Sequence, residues 1–228
     1  MDDLQRMQFY QSHYLFRELS LTELKQVMNY GRIRSYKKGE IINYGDTANS
    51  KIYFIISGKT KLITYSNENR YVKDILIDND FFGRLDPQEC YTSDYAEVIR
   101  NNTYISFIHT SDFELLLQSI PILSLQFSKL LYKQVKKLEV KVEELAMRDV
   151  KSRLIQFIKK WAQVESHAES ETISFSNIYS QTDIADIVCC SRQSVNNFFS
   201  ELKTLGLLNY NRKKIEIKAQ FEKELSKN

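Results

Sequence analysis

Three cysteines, Cys90, Cys189 and Cys190, are too few and too unevenly spaced for a disulfide framework, a zinc site or a four-thiolate iron–sulfur cluster. Two prolines and six glycines exclude collagen-like and linker-rich chains. No run approaches the roughly 20 apolar residues of a spanning helix. The start, Met1-Asp2-Asp3-Leu4-Gln5-Arg6, lacks the basic-then-apolar opening of a secretory signal, so a cytoplasmic protein with no membrane partner is expected. No glycine-rich phosphate loop, His-Glu-x-x-His pair or recognisable Ser/His/Asp set occurs, and the three histidines lie far apart, so no catalytic residue, no metal site and no enzyme activity are expected.

What is present suffices for a folded core: 228 residues, 43% hydrophobic and 27% charged. Charge is unevenly placed. Residues 1–128 hold 14 basic and 16 acidic side chains, residues 129–160 hold 10 and 4, and residues 161–228 hold 8 and 9. The basic middle is either a solvated helix face or a surface drawn to polyanions.

A helix over Leu21 to Asn29 is followed by short β-rich runs at Ile41-Ile42, Lys51 to Ile56, Thr60 to Tyr65, Tyr71 to Ile77, Tyr95 to Ile99 and Thr103 to Ile108. Turn residues separate them, among them Lys38-Gly39, Gly45-Asp46 and Asp78-Asn79-Asp80, and the spacing near ten residues predicts a compact β-roll. From Thr110 the period turns helical. Leu131, Val135, Leu138, Val142 and Leu145 recur at intervals of 4, 3, 4 and 3, a heptad seam of about two repeats. Flanking lysines and glutamates favour pairing with an identical helix, a parallel homodimer; the alternative is a helix packed on its own domain.

A helix over Val150 to Val164 follows a break near Ala146 to Asp149, with Leu154, Ile155, Phe157, Ile158 and Trp161 on its buried side. Past the polar run Glu165 to Glu171 come a strand (Thr172 to Phe175), two helices and a hairpin around Asn211-Arg212-Lys213. Within residues 180–205, Ile184, Ala185 and Val188, then Val195, Phe198 and Leu202, fit two short helices crossing steeply. Ser191 can cap the second, whose first turns expose Arg192, Gln193, Ser194, Asn196 and Asn197. Arginine pairs bidentately with guanine, and glutamine or asparagine with adenine, so this helix suits the major groove. Gln181 and Thr182 on the first helix, with Arg212 and Lys213 on the hairpin, complete the expected DNA contacts. The fold class is α+β: a β-roll at 1–110, a dimerisation helix region at 111–147 and a winged helix-turn-helix at 148–228.

Taken in order, Lys38-Gly39-Glu40-Ile41-Ile42, Gly45-Asp46, Ile52 to Leu62, Asp80-Phe81-Phe82-Gly83, the long helix and Ile187 to Val195 resemble the Crp/Fnr family of bacterial transcription regulators over nearly the whole chain. The resemblance implies a cyclic-nucleotide-binding-like roll (a double-stranded β-helix), a homodimer on palindromic double-stranded DNA, and RNA polymerase as a further partner. Its departures matter too. Where cyclic-AMP-binding members carry Gly-Glu-Leu and Arg-Ser or Arg-Thr, this chain has Gly83-Arg84-Leu85 and Asp94-Tyr95. The degenerate pocket, Phe82, Gly83, Arg84, Leu85, Asp94 and Tyr95, is therefore expected not to bind cyclic AMP in the familiar way, since Asp94 would repel phosphate and could pair with Arg84. Residues 1–40 contain no cysteine, so no iron–sulfur cluster is expected, and of the haem-ligand candidates Cys90 and His109 the histidine is expected to be structural. Cys189 stands where many relatives have glycine and is expected to take a positive φ at a cost of about 1 kcal/mol. Gln193 stands where better-known relatives have glutamate, which shifts base preference from cytosine towards adenine. The alternative function is a redox-responsive regulator sensing through Cys189 and Cys190.

Overall fold

The computed structural model describes residues 3–44, 50–66, 69–85, 94–165, 172–211, 213–218 and 221. Two compact units, Met1–Lys137 and Leu138–Asn228, divide the chain. Cys90, the Gly45-Asp46 turn and Arg212, all named above, lie outside the described residues.

The first helix is not the one at Leu21: α1 (Asp3–Ser12) precedes α2 (Leu21–Tyr30). A single residue of α1, Tyr10, is buried, so no apolar period marks it. In α2 a capping box fixes the start: Glu23 N–H donates to Ser20 Oγ at 3.3 Å, and Ser20 N–H to the Glu23 carboxylate at 2.8 Å.

Eight strands follow: β1 (Arg32–Tyr36), β2 (Ile41–Asn43), β3 (Lys51–Ser57), β4 (Thr60–Ser66), β5 (Asn69–Leu76), β6 (Phe81–Gly83), β7 (Tyr95–Val98) and β8 (Thr103–His109). They form two antiparallel four-stranded sheets, ordered β1-β8-β3-β6 and β2-β7-β4-β5. β1 and β6 add to the expected set. Strand β3 is a continuous apolar run because both its faces are covered. Tyr53 and Ile55 pack with Phe82, Ala96, Val98 and Ile105, whereas Ile52 and Phe54 pack with Leu24, Phe113 and Phe127 from α2, α3 (Thr110–Ser119) and α4 (Pro121–Met147).

Past the break at Arg148 and Asp149, the second unit contains α5 (Val150–Glu165), β9 (Thr172–Ser176), α6 (Gln181–Val188), α7 (Arg192–Thr204), β10 (Leu208–Tyr210) and β11 (Lys214–Lys218). Asp149 Oδ1 accepts from Ser152 N–H at 2.8 Å and so starts α5. The hairpin β10-β11 is joined by β9 into one antiparallel sheet, β10-β11-β9. Leu154, Ile158 and Trp161 pack on Ile184, Val195, Phe198, Leu202 and Ile215; Ile155 and Phe157, expected on the same side, are half-buried. Trp161 is ringed by Tyr179, Phe175 and Phe157, with centroids 4.7, 5.0 and 5.7 Å away. Among the described residues, no single helix is long and apolar enough to cross a membrane.

Candidate nucleic-acid interface

Helices α6 and α7 are held at their junction by local chemistry. Ser180 caps α6 through a second capping box, donating N–H to Asp183 Oδ2 at 2.9 Å while its Oγ accepts from Asp183 N–H at 3.1 Å. The α6 end turns at Cys189, with φ 55° and ψ 58°. Cys190 N–H then donates to Ala185 O at 2.9 Å, the reach-back bond of a left-handed cap. Arg153 of α5 supplies what sequence spacing did not reveal: Nε donates to Val188 O and Nη2 to Cys189 O, both at 3.1 Å, so a guanidinium satisfies the last carbonyls of α6. Cys189→Gly is expected to raise the stability of the second unit by about 0.5–1 kcal/mol, because glycine adopts this backbone without the Cβ penalty. Urea unfolding followed by circular dichroism checks it; unchanged or lower stability would show that the turn carries no strain.

At the start of α7, Ser191 Oγ accepts from Ser194 N–H at 3.0 Å, the expected cap. Val195, Phe198 and Leu202 face the core, which turns Arg192, Gln193 and Asn197 to solvent and leaves Ser194 and Asn196 half-buried. Gln193 Nε2 donates to Asn197 Oδ1 at 2.8 Å, so two of the candidate base-reading amides are already held together. The Arg192 guanidinium makes no ion pair or hydrogen bond among the described residues. On α6, Thr182 is exposed and Gln181 half-buried.

The hairpin turn is built by asparagines. Asn211 Oδ1 accepts from Lys213 N–H at 2.8 Å and Lys214 N–H at 2.9 Å, and Asn177 Nδ2 donates to Asn211 O at 2.7 Å. Lys213 is exposed, whereas Lys214 is engaged by Glu216 at 2.7 Å. The basic run is also partly consumed internally: Lys137 pairs with Asp74 at 2.6 Å, Lys151 with Glu201 at 2.7 Å and Lys160 with Glu144 at 3.0 Å.

In the roll, the six pocket candidates do not share one lining. Phe82 is stacked on Tyr53 at 4.8 Å and meets Tyr44 at 5.3 Å. Gly83, at φ 117°, lies so close to β3 that a Cβ would come within 2.3 Å of Lys51 O, and Leu85 packs with the helical cluster instead. Arg84 and Asp94 do meet, at 3.9 Å, with side chains 9% and 6% exposed. The nearer partner of Asp94 is Lys73, at 2.9 Å, which sequence spacing did not single out. Tyr95 stacks on Tyr65 at 5.9 Å. Burial and the Asp94 charge push the Tyr44 phenol well above its ordinary range. Cys189 and Cys190 are outside any disulfide and half-buried, and burial pushes the Cys190 thiol up. His109 is exposed at the start of α3.

Residues 152–220 match the family model of the Crp-like helix-turn-helix domain. No curated protein matches the chain. Solved structures do. A CooA mutant from Carboxydothermus hydrogenoformans is 22% identical, covering 88% of this chain and 89% of that one, with a TM-score of 0.67. A putative transcriptional regulator of the Crp/Fnr family from Eubacterium rectale is 16% identical, covering 93% and 97%, with a TM-score of 0.71. The c-di-GMP responsive regulator CLP of Xanthomonas campestris is 19% identical, covering 88% and 100%, with a TM-score of 0.65. At these identities the structural likeness establishes the fold.

Proposed function

We propose that this chain, which carries a Crp-like helix-turn-helix domain on the fold of the Crp/Fnr regulators, is a dimeric, sequence-specific DNA-binding transcription regulator. The observation that carries the reading is α7: a capped helix whose buried side is fixed by Val195, Phe198 and Leu202 and whose outer side offers Arg192, Gln193 and Asn197 to a major groove. Ser191, Ser194 and Asn196 flank these readers. Gln181 and Thr182 at the start of α6, with Arg212 and Lys213 at the hairpin, position the duplex through phosphate.

Arg192→Ala is expected to cost about 1–3 kcal/mol of discrimination at one base pair, whereas Lys213→Ala weakens cognate and random DNA alike and lowers the salt slope by about 1. Mobility shifts on selected and scrambled duplexes at two salt concentrations check both. Equal loss on the two duplexes for Arg192→Ala removes it from base reading.

The homodimer is supported by Leu131, Val135, Leu138, Val142 and Leu145 of α4, which are 39–64% exposed in a single copy. Leucine at 131, 138 and 145 with valine at 135 and 142 is the alternation of d and a positions that favours two parallel strands. Two copies would offer paired recognition helices to half-sites one DNA turn, about 34 Å, apart on a palindrome. By the resemblance, Asp94 stands where cyclic-AMP-binding relatives carry the phosphate-holding arginine, and its engagement with Lys73 and Arg84 supports a roll that does not take cyclic AMP in that way. Work as a cytoplasmic, non-enzymatic regulator alongside RNA polymerase belongs to the same reading. Redox sensing through Cys189 and Cys190 is the second reading. Its proximity to α7 favours it, while a thiol pushed up by burial opposes it. DNA binding that survives peroxide and the Cys189→Ser, Cys190→Ser double substitution removes it.

A further inference from the structure

At the edge of the roll opposite β6, the N-terminal unit holds a cleft of about 230 Å³ whose wall includes Arg34, Tyr36, Ile41, Lys51, Tyr53 and Phe107. Strand register assembles it. Arg32 pairs with Phe107 and Phe107 with Tyr53, so strand alternation puts Arg34 and Tyr36 of β1 and Lys51 of β3 on the same face as the Phe107 ring. Ile41 comes from β2 of the other sheet.

The chemistry of this wall is incomplete. Tyr36 and Tyr53 are each only 6% exposed, yet neither hydroxyl has a hydrogen-bond partner among the described residues. The rings are buried while each hydroxyl stays open to the cleft, where an acceptor can reach it. Burial pushes the Tyr53 phenol up to about 12 and raises Tyr36 as well, so both keep their protons and remain donors at neutral pH. Lys51 Nζ lies 5.3 Å over the Phe107 ring with no carboxylate partner among the described residues. Arg34 lies 4.8 Å over Tyr36 and pairs with Glu40 at 3.8 Å, an exposed ion pair of small worth. Among the described residues no carboxylate lines the cleft itself. Two cations and two neutral donors therefore stand beside an aromatic wall, with Glu40 at its rim as the acceptor nearest Arg34 and none paired with Lys51 among the described residues.

We propose that this cleft binds a small organic anion, with a carboxylate or phosphomonoester head between Arg34 and Lys51, Tyr36 and Tyr53 donating to it, and a flat apolar body along Phe107 and Ile41. The anionic head follows from Lys51 and the two open phenols beside Arg34, whose exposed pair with Glu40 is weak, since charge-assisted bonds to an anion are the strong ones. The flat body follows from the ring wall. The size follows from the volume, which falls below the roughly 300–1,000 Å³ of pockets for drug-sized ligands. The site is separate from Arg84 and Asp94 and does not depend on how α7 reads DNA.

Titration calorimetry of the full chain with benzoate, phenyl phosphate and inorganic phosphate tests it. Benzoate or phenyl phosphate is expected to bind saturably with a Kd of about 1 mM or tighter, and inorganic phosphate at least about tenfold more weakly. Whichever organic anion binds more tightly identifies the head group. Arg34→Met and Lys51→Met should each weaken binding about tenfold, and Tyr53→Phe about threefold while keeping the ring stack on Phe82. Arg34 is exposed, so its substitution leaves the core intact and keeps the comparison available if Lys51→Met folds poorly. Absence of saturation by both organic anions, methionine variants that bind like the parent, or inorganic phosphate binding as tightly as phenyl phosphate would each overturn the proposal.

Discussion

Leu138→Asp together with Val142→Asp is expected to convert the protein to a single copy and to lower its affinity for a palindromic duplex by about 10²–10⁴-fold, with each helix-turn-helix domain intact. The two side chains are 61% and 64% exposed, so a charge there disturbs no core of the isolated chain. What it disturbs is the apolar seam of α4, where two aspartates opposite their own copies combine like-charge repulsion with lost burial. The affinity falls because a second half-site already tethered to the first is met at high effective concentration, and a single copy has no second reading helix. Sedimentation equilibrium and mobility shifts on full and half-site duplexes check the two parts separately. A variant that still sediments as a dimer would place the pairing surface elsewhere.

The stability of the parent N-terminal unit is expected to fall by about 3 kcal/mol relative to that of His13→Phe as pH drops from about 6.5 to about 4. His13 is fully buried between Phe16 and Phe54, at ring distances of 5.4 and 5.8 Å, and its Nδ1 accepts from Leu15 N–H at 3.1 Å. Burial lowers its pKa from 6.5 to about 4, the Asp80 backbone offsetting a small part. The direction follows from proton counting: below 6.5 the unfolded imidazole takes a proton that the folded one refuses, so acid favours unfolding until the folded ring also titrates near 4. The Asp80 carboxyl, pushed up by burial, works in the opposite sense and is present in both proteins, so their difference isolates His13. Urea unfolding at pH 7 and pH 4.5 with a histidine NMR titration provides the measurement. A His13 midpoint near 6.5 in the folded protein would refute it.

The β-roll strands and the winged unit were legible because their signals are local. Alternation around turn residues marks β3, β4 and β8, and apolar spacing with Ser191 ahead of it marks α7. Cys189 was legible through the resemblance instead: many relatives carry glycine at the turn after Val188, which implies a left-handed residue there, and its φ is 55°. Long-range pairing hid the rest. Lys73 meets Asp94 from 21 positions away because β5 and β7 both flank β4, and Arg153 reaches the Cys189 carbonyl from 36 positions away. β1 escaped because Arg32, Arg34 and Ser35 make it polar, and the cleft it borders exists only once β8 lies between it and β3. The basic run read as one surface, yet Lys137, Lys151 and Lys160 are spent on carboxylates.

Trp161 is the chain's one tryptophan, 4% exposed, and its indole N–H has no acceptor among the described residues. Light absorbed at the red edge of the protein spectrum is therefore captured by a single fluorophore lodged in the DNA-reading unit, in apolar surroundings that favour blue-shifted emission. The molecule carries its own optical label on that half, silent to events in the fourteen-tyrosine background.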